Sequence, residues 1–155
     1  MQTILGSGGA IGRELAKALT DFTKDIRLVS RKPVKVNPDD HLHPADLTDA
    51  AAVRRAVEGS EVVYVTVGFP YSKKVWKETW PPFIKSVIDA CKAEGCKLVF
   101  FDNIYMYDPD HLDGMTEETQ FATESRLRNE TDPVEEIHFT PGTPFFLKGN
   151  ISYYF

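Results

Sequence analysis

Cysteine is scarce in this sequence, and patterns that would place the chain in a membrane are missing. The two cysteines, Cys91 and Cys96, have no histidine or further cysteine at metal-ligand spacing. We therefore expect two reduced, structural thiols, no disulfide and no metal site. No apolar stretch approaches the roughly 20 residues of a membrane span, and no basic leader precedes the first apolar run. These absences predict a cytoplasmic protein.

Positive charge is in deficit as well. The chain has 18 lysines and arginines against 23 aspartates and glutamates, so its net charge is −5. Such a chain has no general attraction for nucleic acid or anionic membranes, and neither is expected as a partner. With 42% hydrophobic and 26% charged residues the composition is that of a globular protein, and 155 residues are enough for one well-packed domain.

Short apolar runs alternate with segments of helical periodicity over the first 103 residues. The apolar runs predict strands at residues 3–5, 26–30, 61–67 and 97–103, with a weaker strand within 41–47. Helical patterns follow the first glycines, occupy LTDAAAVRRAVEG (47–59), and resume at the proline pair 81–82. Strands that alternate with helices favour a parallel α/β sheet with right-handed crossovers.

Two of the predicted helices have further sequence signals, which indicate a buried face in one and the helix ends in the other. The first helix has one apolar face, which we expect to pack against the sheet. The residues of this face recur at helical spacing: Ile11, Leu15, Ala18, Leu19 and Phe22. The second has Thr48 or Asp49 near its N-terminus and Gly59 just past its end, which are residue types that cap helices.

The run GSGGAIG (residues 6–12) follows the first predicted strand and opens the first predicted helix. Glycines allow a tight turn, close approach of a phosphate to the backbone and close packing of helix on strand, and a helix N-terminus favours negative charge. In this context the motif predicts a dinucleotide pyrophosphate site; the alternative is a glycine-rich turn with no ligand. The predicted binding residues are Gly6, Ser7, Gly8, Gly9, Ala10, Ile11 and Gly12.

The residues after the second strand indicate which dinucleotide binds. NAD-preferring sites usually have Asp or Glu there, to accept hydrogen bonds from ribose hydroxyls. This chain has Ser30, Arg31 and Lys32, a hydroxyl and two cations that suit a ribose 2′-phosphate. NADP is therefore favoured over NAD, with a solvated loop as the alternative for Arg31 and Lys32. Arg13 either adds to the phosphate site or is an ordinary solvated residue of the first helical turn.

Five segments carry a family resemblance in their order and spacing. They are the glycine run, SR at 30–31, ADLTD at 45–49, EVVYVTVG at 61–68 and AEGCKLVFFDNIYMYD at 93–108. Together they resemble the extended and atypical short-chain dehydrogenase/reductases, especially the NAD-dependent epimerase/dehydratase group. The resemblance covers about residues 1–120. It implies a Rossmann-type three-layer αβα fold with a parallel sheet, and an NAD(P)-binding protein acting on a small carbonyl or sugar-nucleotide substrate.

The same resemblance implies further cofactor contacts. Asp46 and Leu47 would lie against the adenine, with the Asp46 carboxylate accepting from the adenine amino group. Thr66, Val67 and Gly68, at the carboxyl end of the fourth strand, would line the ribose next to the nicotinamide. Each assignment has a structural alternative: Asp46 as a cap of the following helix, and the other three residues as a strand end without a ligand.

The catalytic residues of the family are not evident in this chain. The resemblance implies a Ser or Thr at the end of the fifth strand and a Tyr-x-x-x-Lys pair, whose lysine lowers the tyrosine pKa. Here the strand ends in Asp102 and Asn103, and no tyrosine has a lysine four positions later. Asp102, Tyr105 and Tyr107 are the remaining catalytic candidates, each with a structural role as the alternative.

Residues 121–155 form a divergent tail with no sustained helical period and no family-like continuation. We expect a shortened family member that departs near Gln120 through truncation, a frameshift or the choice of the expressed segment. A shortened sheet would leave an open edge beside its last strand, for the tail or a second copy in a homodimer to cover. Two functions remain open: an NADP-dependent reductase, epimerase or dehydratase, and a non-catalytic dinucleotide-binding redox sensor or regulatory module.

Overall fold

Five parallel strands form the sheet in the computed structural model, which describes residues 1–70 and 72–101. The strands are β1 (Gln2–Leu5), β2 (Ile26–Ser30), β3 (His41–Pro44), β4 (Val62–Val65) and β5 (Lys97–Phe100). They lie in the order β3-β2-β1-β4-β5. Because the connections run one way from β1 to β3 and the other way from β4 to β5, the direction reverses beside β1, which is where open α/β sheets bind ligands.

Helices connect the strands within the described residues, except that a loop joins β2 to β3. They are α1 (Ala10–Ala18), α2 (Ala50–Val57), α3 (Lys73–Glu78) and α4 (Trp80–Glu94), and a 3-10 turn at Leu19–Asp21 extends α1. Asp49 is the residue that caps α2, since its side chain accepts from the amide of Ala51 at 2.9 Å. Gly95 ends α4 in the left-handed conformation, with φ of 67°.

Each face of the sheet has its own apolar core. On one face α2 and α4 pack together over the strands, around Leu5, Val53, Val63 and Val87. Cys91 and Cys96 are buried in the same cluster as free thiols. On the other face α1 packs over β1 and β2, around residues that include Ile4, Ala16 and Leu28. The layers are therefore helix, parallel sheet and helix, as predicted.

The predicted buried face of α1 is confirmed at Leu19, which is buried, and at Leu15, which is half-buried against the core, and it is wrong at the other three residues. The structure buries Gly12, Ala16 and Leu19, whereas Ile11 is 42% exposed and Ala18 is exposed. Phe22 lies beyond the 3-10 turn and is 81% exposed. The reason is Gly12: a helix face without side-chain bulk at this position lies closest to the turn after β1, so the face with Gly12 and Ala16 meets the sheet and Ile11 and Ala18 are left outside it.

Arg27 on β2 stabilises the end of α2 from across the fold. Its Nη1 donates to the carbonyl oxygens of Ala56 and Glu58, both at 2.7 Å. We expect Arg27→Met to lower the free energy of unfolding by about 1–2 kcal/mol, because two carbonyls lose a charged donor. Urea denaturation measures the change. Arg54→Met, at an exposed position of α2, is the matched control with an expected change below ~0.5 kcal/mol; equal losses in both variants would contradict the assignment.

Candidate functional site

The turn after β1 is shaped by the first and last glycines of GSGGAIG. Gly6 has φ of 96°, and a Cβ added there would lie 2.7 Å from the amide nitrogen of Val67. A Cβ on Gly12 would lie 2.8 Å from the carbonyl oxygen of Gly6. The amides of Gly6 and Ser7 both donate to the carbonyl of Val29, at 2.9 and 3.1 Å. These two glycines therefore let the turn pack against β2, the end of β4 and the start of α1.

The two middle glycines have a different environment. A Cβ added to Gly8 would lie 3.9 Å from the nearest atom, and a Cβ added to Gly9 would lie 3.7 Å from the nearest atom. Both are ordinary contact distances. Gly9 is the N-cap of α1 and offers no side-chain acceptor to the first amides of the helix. These amides have no intrahelical partner, and with the helix dipole they make an anion site. The loop is thus open on the side where a pyrophosphate would approach.

A cavity of about 710 Å³ lies over this loop at the carboxyl ends of the strands. It brings together twelve of the predicted cofactor residues: Gly6, Gly8, Gly9, Ala10, Ile11, Ser30, Arg31, Asp46, Leu47, Thr66, Val67 and Gly68. A second cavity, of about 470 Å³, is lined by Gly8, Ser30, Arg31 and Lys32. The residues after β2 therefore adjoin Gly8 of the glycine loop.

Ser7 and Gly12 belong to the predicted set but line neither cavity. Ser7 is 3% exposed and points into the fold, and Gly12 is the contact of α1 with the turn. The cavity also contains residues that the sequence reasoning missed: Ala45, Thr48, Phe69, Pro70, Val75 and Thr79. Thr48 and Phe69 directly follow predicted binding residues, which is the one signal that could have found them.

An unpartnered hydroxyl lies beside the loop. Ser30 Oγ is buried without a hydrogen-bond partner in the described structure, and a Cβ built on Gly8 would be 3.9 Å from it. A buried polar group without a partner costs about 1–3 kcal/mol unless water or a ligand supplies one. A ligand with phosphate and ribose oxygens, bound between Gly8 and Arg31, would satisfy this group, so the residues present fit a dinucleotide.

Asp46 is held by its own local turn. Its Oδ1 accepts from the amide of Thr48 at 3.0 Å and from the Thr48 hydroxyl at 2.8 Å. These hydrogen bonds, with a smaller contribution from the charge of Arg31, lower the pKa of the Asp46 carboxyl. Asp46 is therefore an ionised acceptor at the cavity wall. It is not the cap of α2, since Asp49 has that position.

The residues after β4 close the cavity on the other side. The strand ends at Val65, two residues earlier than predicted, and the amide of Thr66 donates to the Leu5 carbonyl at 2.8 Å. The hydroxyl of Thr66 donates to the same carbonyl at 3.1 Å. The ring of Phe69 meets Trp80 edge to face, with centroids 5.0 Å apart. This end of the cavity is thus aromatic and tied to β1.

The catalytic candidates Asp102, Tyr105 and Tyr107 lie outside the described residues. Across residues 1–70 and 72–101, no group of three histidine, cysteine or carboxylate side chains has the arrangement of a metal site. No helix in that part of the chain has the length and apolar character needed to cross a membrane.

Comparison with known proteins agrees with the geometry. Residues 6–130 match the model of the NAD(P)H-binding family. Among solved structures, uronate dehydrogenase from Agrobacterium tumefaciens is 20% identical, with a TM-score of 0.63 over 78% of this chain and 47% of that one. A mutant of that enzyme complexed with NAD gives a TM-score of 0.62 at 20% identity, over 78% and 48% of the two chains.

A third structure is more similar in sequence. A Rossmann-fold NAD(P)-binding family protein from Shigella flexneri is 27% identical, with a TM-score of 0.50 over 63% of this chain and 48% of that one. The chain spans about half the length of these solved structures, and no curated protein matches its sequence. The family match covers most of the chain, and the strand order and glycine turn agree with it: the chain belongs to the NAD(P)H-binding family and contains a Rossmann-type dinucleotide-binding domain.

Proposed function

We propose that residues 1–120 of this chain form a domain that binds NADP(H) in preference to NAD(H). The observation that carries the preference is the second cavity, where Arg31 and Lys32 adjoin Gly8 and Ser30. No carboxylate lines that cavity among the described residues. A 2′-phosphate there would meet two cations and a hydroxyl, whereas an NAD-preferring site has a carboxylate at this place in the fold.

The rest of the dinucleotide is assigned from the larger cavity. The amides of Gly8, Ala10 and Ile11 would bind the pyrophosphate. Asp46 and Leu47 would contact the adenine, for which an ionised carboxylate is a suitable acceptor. Thr66, Val67 and Gly68 would line the ribose on the nicotinamide side. The hydroxyl proton of Thr66 already bonds Leu5, so this residue would offer its oxygen as an acceptor.

The enzymatic form of the proposal is a reductase, epimerase or dehydratase that acts on a small carbonyl compound or a sugar nucleotide. A bound nicotinamide supplies hydride exchange with such a substrate. The aromatic end of the cavity at Phe69 would exclude water from the exchange. Uronate dehydrogenase, a fold relative, is named for a sugar-acid substrate, which supports the substrate class.

A second candidate is a non-catalytic sensor of the NADP/NADPH ratio. The observation that favours it is the absence of a lysine four positions after any tyrosine in the sequence. Without this pair the chain has no residue assigned to lower a tyrosine pKa, so proton exchange at the substrate would depend on Asp102, Tyr105 or Tyr107. Binding of the dinucleotide is common to both candidates.

Titration with NADPH and NADH, followed by nicotinamide fluorescence, tests the shared part of the proposal. We expect NADPH to bind at least about tenfold more tightly, a difference of ~1.4 kcal/mol. Failure of both dinucleotides to bind at high micromolar concentration would overturn both candidates. Equal affinities would overturn the preference for NADP. A panel of aldehydes, ketones and sugar nucleotides, assayed with NADPH, then separates the enzyme from the sensor.

A further inference from the structure

The larger cavity continues past Gly68 to an end that is built from the segment after β4 and from α3. Four residues line it: Phe69, Pro70, Val75 and Thr79. We call these four residues the apolar end, because a single hydroxyl is the polar group among their side chains. The proposed function assigns residues 66–68 to the ribose on the nicotinamide side. The apolar end therefore lies where a nicotinamide and a substrate would meet.

The charged side chains of this cavity lie on its other side. Among the described residues that line it, Arg31 and Asp46 are the charged ones. They follow β2 and β3, on one side of β1, whereas the apolar end follows β4 on the opposite side. A carboxylate or diphosphate bound at the apolar end would lose its hydration without a described cation to pair with, which is unfavourable. This part of the cavity favours an uncharged group.

Phe69 is the largest side chain of the apolar end, and α4 holds its ring in position. The ring meets those of Trp80 and Phe83 edge to face, with centroids 5.0 and 5.2 Å away. Trp80 and Phe83 are the first and fourth residues of α4, so one helix supports both contacts. A ring fixed in this way presents an apolar surface to a ligand with little further loss of side-chain entropy.

α3 contributes an apolar side chain and a hydroxyl to the same place. Val75 and Thr79 are four residues apart, so they lie on one side of the helix, and both line the cavity. Lys74 and Glu78 are exposed, pair with each other at 4.0 Å and do not line the cavity. The hydroxyl of Ser72 accepts from the Val75 amide at 3.3 Å, which fixes the first turn of α3.

Thr79 has the hydroxyl of the apolar end. It occupies the N-cap position of α4, yet its backbone angles are helical, with φ of −104° and ψ of −43°. A capping threonine has extended angles and accepts from an amide of the first helical turn. The Thr79 hydroxyl makes no such hydrogen bond. It is therefore a suitable donor to an oxygen of a ligand in the cavity.

We infer that the apolar end is a substrate site for an uncharged aldehyde or ketone that has an aromatic or aliphatic group. This group packs on Phe69, Pro70 and Val75, and burial of apolar area supplies most of the binding free energy. Thr79 donates to the carbonyl oxygen and orients it. The inference rests on the proposed dinucleotide site and narrows the substrate class, because sugar nucleotides and sugar acids bring negative charge to this end.

Acetophenone and 4-acetylbenzoate test the preference for an uncharged ligand, because they share an aromatic ketone and differ by one carboxylate. Both are titrated into the full chain saturated with NADP⁺, which has no hydride to transfer, and saturation-transfer difference NMR of the ligand protons gives the affinities. A sugar nucleotide, UDP-glucose, is titrated in parallel. We expect acetophenone to bind at least about tenfold more tightly than either charged compound.

The outcomes separate this inference from the proposed function. Equal or tighter binding of a charged compound would overturn the inference, and so would NADP⁺ binding without any binding of acetophenone. In both cases the proposed dinucleotide site would stand. Failure of NADP⁺ and NADPH to bind would overturn the proposed function, and the inference with it.

Val75→Lys locates the binding site, because it introduces a cation at the apolar end. We expect 4-acetylbenzoate to bind about two- to fivefold more tightly to this variant, and acetophenone to bind more weakly. Val34→Lys is the matched control, since Val34 is 74% exposed and does not line the cavity. It should leave both affinities unchanged. The same shift in both variants, or a shift in neither, would overturn the assignment of the ketone to the apolar end.

Thr79→Val tests the hydrogen bond, because it removes the hydroxyl and keeps the shape of the side chain. Acetophenone is expected to bind about two- to tenfold more weakly, whereas toluene, which has no carbonyl oxygen, should bind equally to both chains. The urea midpoint and NADP⁺ affinity should not change, since this hydroxyl does not cap α4. Unchanged acetophenone affinity, or an equal loss for toluene, would overturn the contact between Thr79 and the carbonyl oxygen.

Discussion

Gly6→Ala is expected to lower the free energy of unfolding by about 3 kcal/mol or more, because it combines backbone strain with overpacking. Gly6 has φ of 96°, a conformation that alanine rarely adopts. The new Cβ would also lie 2.7 Å from the amide nitrogen of Val67 and 2.8 Å from the carbonyl carbon of Thr66. Both are backbone atoms of the turn after β4, so no flexible side chain can move aside. Thermal and urea denaturation measure the loss.

Gly8→Ala is the matched control for this prediction. Gly8 belongs to the same loop, but its φ is not positive and an added Cβ would have no neighbour closer than 3.9 Å. We expect stability within ~0.5 kcal/mol of the unmodified chain, together with at least about tenfold weaker NADPH binding, because the Cβ would lie where the backbone approaches the ligand. Similar stability of the Gly6 and Gly8 variants would contradict the roles assigned to the two glycines.

Arg31→Asp is expected to reverse the dinucleotide preference. Loss of a charged donor to the 2′-phosphate costs about 1.5–3 kcal/mol, which corresponds to ~10- to 140-fold weaker NADPH binding. The introduced carboxylate adds repulsion toward the phosphate and offers an acceptor to the ribose hydroxyls of NADH. NADH affinity should therefore be retained or increased. Parallel fluorescence titrations with both dinucleotides give the ratio of the two affinities.

Lys24→Asp makes the same change of charge at the opposite end of β2. Lys24 is exposed and precedes the strand, whereas Arg31 follows it. The control should leave the ratio of NADPH to NADH affinity unchanged, since the cofactor cavity lies at the carboxyl ends of the strands. An equal decrease of NADPH affinity in both variants would indicate a general effect of net charge, and it would contradict a 2′-phosphate contact at Arg31.

Much of the fold is predictable because its signals are local. The apolar runs and glycine turn predict β1, the start of α1 and the other strands of the parallel sheet, and the prolines predict the first turn of α4. The predicted end of β4 was two residues too long, because Thr66 continues the pairing with Leu5 after the strand geometry has ended. An apolar run in the sequence does not distinguish a residue inside a strand from one that only continues its hydrogen bonding past the strand end.

The candidate site was predictable from the sequence only in part. The motif predicted the glycine turn and the proposed pyrophosphate site on it, and the chain's family match extends over residues 6–130. The sequence did not distinguish Gly6 and Gly12, which pack against backbone, from Gly8 and Gly9, which face the cavity. It also left Asp46, Thr48 and Asp49 as competing caps of α2, which the hydrogen bond between Asp49 and the amide of Ala51 resolves. These distinctions depend on neighbours more than fifty residues away or on the direction of a side chain.

The order of strands and helices along the chain, the glycine turn and the cations that follow β2 can be read from the sequence, because each depends on residues adjacent in the chain. The buried face of α1, and the cavity that Arg31 and Lys32 share with Gly8, become known from the folded chain alone. The physical reason is packing. Gly12 admits the closest approach of helix to turn, so α1 is oriented by its smallest residues, and Ile11 and Ala18 are left exposed.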